Sequence, residues 1–179
     1  MNNKINILGI SAILFSSFTL AQNNQIGGTD LGEVNQSSAF EIVTRLIGNW
    51  EGKLHQPDGS IVETSTSFRL TSNGNTVVET LVEDGVEMIT TYSDKDGELV
   101  VKHYCALGTE PMFSVGGMTA TSLNLVSDSS PGYMPEHHNF VESLRYTLDE
   151  NSPMKFRVDG KIYLDGELTE QFSEFERVN

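Results

Sequence analysis

The chain has 179 residues, with 11 Lys and Arg against 25 Asp and Glu, and a formal net charge of −14 at pH 7. A field this negative repels phosphate backbones and anionic lipid, so neither nucleic acid nor, after any leader is removed, a membrane surface is an expected partner. A single cysteine, Cys105, excludes an internal disulfide, and stability has to come from a hydrophobic core.

The chain opens MNNKINILGISAILFSSFTLAQNN. Lys4 supplies a basic start, the run Ile5 to Leu20 is apolar but interrupted by serines, and Thr19-Leu20-Ala21 is a small-residue cleavage site. The run falls short of the ~20 predominantly apolar residues of a spanning helix. Residues 1–21 therefore read as a signal peptide cut before Gln22, and the mature protein is expected to be exported, to a periplasm or outside the cell. Residues 22–38, "QNNQIGGTDLGEVNQSS", are polar and aperiodic and read as a flexible arm. Residues 39–179 read as one domain.

That domain begins with a short helix. Ser38 is its expected N-cap, with Glu41 at capping-box spacing. Phe40, Val43, Leu46 and Ile47 fall on one helical face, and Gly48 ends the segment. Beyond Gly48, turn signals recur at Pro57-Asp58-Gly59, Asn73-Gly74-Asn75, Asp84-Gly85, Asp96-Gly97, Asp159-Gly160 and Asp165-Gly166. Between them lie short runs rich in Val, Ile, Thr, Phe and Tyr, the rhythm of successive hairpins. Strands are expected near Trp50–Gln56, Ile61–Leu70, Thr76–Glu83, Glu87–Ser93, Glu98–Ala106, Met112–Val115, Ala120–Ser127, His138–Leu148, Met154–Val158, Lys161–Leu164 and Leu168–Val178. So many consecutive antiparallel strands close on themselves to remove their edges. The expected fold is all-β: a single antiparallel barrel of roughly 8–10 strands with a short N-terminal helix. The irregular stretch Ser127 to His138, "SDSSPGYMPEHH", is expected to be a loop gating one mouth, with the helix capping the other.

Two stretches carry a family resemblance. A short helix followed by Gly48-Asn49-Trp50 at the first strand resembles the calycin superfamily, which includes lipocalins and fatty-acid-binding proteins. The start "LIGNWEGK" is also similar to nitrobindin-type haem barrels. The calycin resemblance implies that Trp50 packs against an arginine of the last strand, here Arg177, in a structural role. The stretch Val78 to Pro111, with its Glu-Met strand, Asp-Gly turn and His103-Tyr104-Cys105-Ala106, resembles a bacterial lipocalin-like family of uncharacterised function. It departs from that family at Gly108-Thr109-Glu110-Pro111 and imports no activity.

Strand phase then picks out a site. Residues two apart share a face. Leu99, Val101, His103 and Cys105 oppose Glu98, Val100, Lys102 and Tyr104, so His103 and Cys105 are expected to face inward. The same reasoning turns His138, Phe140, Glu142, Leu144 and Tyr146 inward, along with Phe68 and the Met88, Thr90, Tyr92 face. An apolar lining with a few convergent polar groups is how small-molecule pockets are built. The expected function is binding of a small, partly apolar ligand in the barrel, with His103, Cys105, His138, Tyr92 and Tyr146 as polar contacts and Phe68, Met88 and Phe140 as apolar lining.

Alternatives remain open at this point. His103 and Cys105, joined by His138, form a three-ligand metal set with Glu142 as a base. Haem is the second, with His138 as its ligand. A structural or interaction module with a filled core is the third. No catalytic residue is assigned, because no Gly-x-Ser-x-Gly, phosphate loop or dinucleotide fingerprint occurs, although Cys105 and His103 together make a nucleophile and base. Glu79 and Glu87 read as a surface carboxylate pair, and His55 and His137 as solvent-facing. The cofactor and the oligomeric state are not assigned.

Overall fold

The structure, a computed structural model, describes residues 25–32, 34–95, 97–129 and 131–178. The expected signal peptide lies outside the described residues. Among those described, no helix is long and apolar enough to cross a membrane. The first elements among the described residues are two-residue strands, β1 (Gln25–Ile26) and β2 (Thr29–Asp30), which pair with each other.

Helix α1 spans Ser38–Thr44. Its N-cap is Ser37, one residue earlier than expected: the Ser37 hydroxyl accepts from the Phe40 N–H at 3.2 Å. The cap is itself anchored, because the Ser37 N–H donates to the Asp94 carboxylate. Phe40, Val43 and Leu46 are buried as the periodicity requires.

Ten strands follow as an antiparallel meander: β3 (Gly48–His55), β4 (Ile61–Thr71), β5 (Thr76–Glu83), β6 (Val86–Lys95), β7 (Glu98–Tyr104), β8 (Met112–Met118), β9 (Ser122–Ser127), β10 (Phe140–Leu148), β11 (Lys155–Leu164) and β12 (Glu167–Val178). Each pairs with the next, and β12 pairs with β3 to close the barrel. Two of the Asp-Gly turns are two-residue hairpin connections with positive φ at both positions, Asp84-Gly85 and Asp165-Gly166. That backbone matches the twist of the strands they join.

Asp159-Gly160 is not a turn. The two expected strands on either side are the single strand β11, in which Asp159 pairs with Phe172 and Arg145, and Gly160 with Gln171 and Leu144. Arg157 Nε and Nη2 donate to Asp159 at 2.8 and 2.6 Å, and this pairing on the outer face keeps the Asp-Gly dipeptide extended.

One end of the barrel is sealed by α1 and by the junction that follows it. Three successive carbonyls after the helix, those of residues 45–47, have no helical partner and need donors. Trp50 Nε1 donates to the Leu46 carbonyl at 2.7 Å. Arg177 Nη1 and Nη2 donate to the carbonyls of Ile47 and Arg45 at 2.7 and 3.2 Å. The guanidinium meanwhile lies over the Trp50 ring, 4.1 Å from its centroid. Gly48 is required here: its φ is +133°, and a β-carbon would sit 2.2 Å from Arg177 Nη1. The structural pairing implied by the calycin resemblance is thus present, and its chemistry is the satisfaction of helix-end carbonyls.

Candidate functional site

The barrel interior is filled in one half and hollow in the other. Next to the helix, Trp50, Phe68, Phe156 and Phe175 form a continuous aromatic cluster, with Trp50–Phe156 and Phe156–Phe175 centroids both 4.7 Å apart. Above it, Tyr92 of β6 and Tyr146 of β10 meet across the lumen with hydroxyls 2.6 Å apart. Beyond this bridge lies a cavity of about 240 Å³, extending toward the end away from α1.

The cavity walls are mostly apolar, with Leu54, Leu81, Met88, Val141, Leu144 and Ile162 among them. Its polar groups are Glu79 and Glu83 of β5, Thr90 of β6, His103 of β7, the adjoining Cys105, Tyr146 of β10, Gln171 and Ser173 of β12, and Gln56. Glu79 is only 4% exposed and accepts from the Thr66 hydroxyl at 2.9 Å and from the Tyr92 hydroxyl at 2.5 Å. Tyr92 has one proton and gives it to Glu79, so the Tyr92–Tyr146 contact takes its proton from Tyr146. Burial raises the Glu79 carboxyl above its ordinary pKa, against the lowering effect of its hydroxyl donors. Glu83 also lines the cavity, and its carboxyl is pushed up to about 7, first by burial and then by the charge of Glu79.

Thr90 is the cross-strand neighbour of both Glu79 and His103. Its hydroxyl lies 2.9 Å from His103 Nδ1. Burial lowers His103 to about 4, so the imidazole is neutral at pH 7. Burial likewise raises the Cys105 thiol, which disfavours the nucleophilic thiolate. Among the described residues no group of three His, Cys, Asp or Glu side chains could hold a metal ion.

Of the residues singled out in the sequence, His103, Cys105, Tyr146 and Met88 line the cavity. Tyr92 and Phe68 face inward but lie below it, in the filled half, where Phe68 packs 6.2 Å from Tyr92. His138 and Phe140 do not face it. Strand β10 begins at Phe140, not His138, and its register shifts between Val141 and Ser143. That bulge reverses the assumed phase: Val141 lines the cavity, whereas Phe140 stacks against Tyr133 and Tyr163 at 5.5 and 5.2 Å. His138 Nδ1 accepts from the Met134 N–H at 3.1 Å, and the ring lines a separate outer cleft with His137, Thr109 and Asp165. His138 and His103 therefore do not converge. Glu142, in the bulge, accepts from the Ser127 hydroxyl at 2.9 Å and is absent from the cavity wall.

None of the described residues between Ser127 and Phe140 lines the cavity; the segment packs against the β7–β8 and β11–β12 connections at the hollow end. The Glu110 N–H donates to the Tyr133 hydroxyl at 2.7 Å, and the Asp165 N–H to Asn139 at 2.8 Å. Ala106 and Leu107, from the β7–β8 connection, line the cavity there instead. His55, expected in solvent, is half-buried and stacks on Phe172 at 4.4 Å.

Glu79 and Glu83 are site residues that the sequence reading missed. Glu79 and Glu87 do not face each other: Glu79 pairs with buried Thr90, while Glu87 is exposed and pairs with Val82. The missed signal was the two-residue Asp84-Gly85 turn. It locks Leu81 opposite Met88 and Glu79 opposite Thr90, so an inward Met88–Thr90–Tyr92 face carries Glu79 and Glu83 inward with it.

No family model and no curated protein matches the chain. Among solved structures, a protein of unknown function from the DUF3598 family of Nostoc punctiforme PCC 73102 is similar at 15% identity and a TM-score of 0.55. The likeness covers 76% of this chain and 49% of that one, so the chain spans about half the length of that protein. A redesigned β-barrel, mFAP1, bound to DFHBI is 17% identical at a TM-score of 0.41, covering 76% of this chain and 98% of its own. EF1p2_mFAP2b bound to DFHBI is 17% identical at 0.42, covering 79% and 100%. Likeness as loose as these last two carries no functional weight. In fold, the chain is a closed ten-strand antiparallel β-barrel with one short helix among its described residues.

Proposed function

We propose that this protein binds a small, partly apolar molecule inside the barrel, as a member of the calycin superfamily exported after removal of residues 1–21. The observation that carries the reading is the division of the interior at the Tyr92–Tyr146 bridge. One half is filled with aromatic side chains; the other holds about 240 Å³ bounded by apolar walls and the polar groups of Glu79, Glu83, Thr90, His103 and Cys105. A barrel selected only for stability gains from close packing throughout, since a cavity forfeits the contacts its lining could make. Buried carboxyl and imidazole groups in a void add a further cost that a ligand offsets by bonding to them. Export rests on the N-terminal sequence alone, and calycin membership on the Gly48–Trp50–Arg177 arrangement.

Native mass spectrometry of the protein from its own host, compared with the same sample denatured, tests both parts. Extra mass lost on denaturation supports interior binding, and its value distinguishes an organic ligand from haem or a metal. A protein start at Gln22 supports export, and a retained Met1 overturns it. Identical masses in both conditions, with no uptake of small organic molecules from solution, overturn interior binding.

A further inference from the structure

The charges around the cavity define the class of molecule that fits. Among the described residues that line it there is no Lys or Arg, and the only basic side chain is His103. His103 is buried, and its Nδ1 is already engaged with Thr90. Two carboxyls, Glu79 and Glu83, project into the same space from one strand.

Their situations differ. Glu79 is held by Thr66 and Tyr92. Glu83, nearer the end of β5, finds no hydrogen-bond or ion-pair partner among the described residues although it is half-buried. A partly buried carboxylate with free acceptor capacity is stabilised by a donor carrying positive charge more than by any neutral group.

An anion would meet the opposite situation. The Tyr92 hydroxyl proton goes to Glu79 and that of Tyr146 to Tyr92, and although Gln56, Gln171 and Ser173 add neutral polar groups, no Lys or Arg stands in the wall to replace an anion's lost hydration. The net charge of −14 adds a long-range field that attracts cations and repels anions. The apolar walls call for an apolar body behind the charge.

We propose that the barrel takes a small organic cation, a protonated amine on a compact apolar body, with the Glu83 carboxylate as its counter-charge. This rests on the interior-binding reading above and deepens it. Glu83 is the group that pairs directly with the ammonium. Glu79, fixed by its hydroxyl donors, lies deeper in the lumen and is not free to pair with the ammonium. Burial and Glu79 hold the Glu83 carboxyl at about 7, so an arriving ammonium also drives off whatever proton it carries near neutrality. The titratable groups that line the cavity with Glu83 are Glu79, His103, Cys105 and Tyr146, and the last three are held neutral by burial.

The test uses three probes of one shape: 2-phenylethylamine, 2-phenylethanol and phenylacetate, titrated calorimetrically into the protein at pH 8. The amine is expected to bind roughly tenfold or more tightly than the alcohol, the size of one charge-assisted hydrogen bond, and the acid not to bind. E83Q, with its fold checked by circular dichroism, is expected to bring the amine down to the affinity of the alcohol and leave the alcohol unchanged. Alcohol or acid binding as tightly as the amine overturns the cation inference while leaving interior binding intact. An amine preference that survives E83Q unchanged overturns the role of Glu83. If none of the three binds, both inferences fall.

Discussion

Tyr92 and Tyr146, on strands that do not pair, place their hydroxyls 2.6 Å apart across the lumen and set the floor of the cavity. The floor holds because every donor has an acceptor: Tyr146 gives to Tyr92, and Tyr92 and Thr66 give to Glu79. Removing one end of such a chain differs from removing its middle. Y146F deletes a donor and strands nothing buried, so it is expected to cost about 1 kcal/mol. E79L leaves the Thr66 and Tyr92 hydroxyls without their acceptor, at about 1–3 kcal/mol for each stranded group. Urea unfolding of the two variants reads the difference, and equal losses would contradict the directional chain.

The two walls of the cavity should impose opposite pH dependences. Glu83 sits at about 7 in the folded protein against 4.5 ordinarily. Between those values the unfolded chain has lost a proton that the folded one keeps, so stability falls as pH rises from 4.5 to about 7. Glu79, also raised, acts with the same sign. His103 sits at about 4 against 6.5, so stability falls as pH drops from 6.5 toward 4. E83Q is therefore expected to melt roughly 3–6 °C above the parent at pH 8 and to lose that advantage near pH 4.5. H103L should show its advantage on the acid side only. Calorimetric melting across pH 4.5–8.5 checks both, and a constant offset for either variant would refute its assigned titration.

Arg177 is expected to be far less tolerant than its exposure suggests. R177K keeps the charge but cannot serve the Ile47 and Arg45 carbonyls together while lying flat over Trp50. A loss of about 2–4 kcal/mol is expected from one charged hydrogen bond and the ring contact. Denaturant unfolding measures it; a loss within experimental error would show that the helix-end carbonyls find water instead.

Cys105 should react slowly. Its thiol is raised by burial, and it lines the cavity rather than the surface. Iodoacetamide at pH 8 is expected to modify it roughly tenfold more slowly than a free thiol, with a further slowing when a cavity ligand is present. Faster alkylation than glutathione would revive the nucleophile reading.

Much of the fold was legible because the local signals agreed with the tertiary structure. Asp84-Gly85 and Asp165-Gly166 sat between good strands and formed the turns they announced, and the apolar face of α1 went where its period pointed. Asp159-Gly160 carried the same signal and failed, because Arg157 and the pairing with β12 hold it extended. The site was legible on β7, where charge separates the faces cleanly. On β5 both faces carry apolar residues, and glutamates at 79 and 83 mimic an outward face. On β10 a bulge that no local residue pattern marks turned Val141 inward and left His138 and Phe140 outside.

Methionine methyls offer the most direct test of interior binding. Met88 lines the cavity, whereas Met118, Met134 and Met154 are exposed. With 13C-methyl methionine labelling, 2-phenylethanol and 2-phenylethylamine are titrated in turn while the methyl resonances are followed. The expected result is a saturable shift of the Met88 methyl with the exposed methyls unmoved. Shifts confined to Met118, Met134 or Met154, with Met88 silent, would place binding on the surface and contradict a ligand-holding barrel.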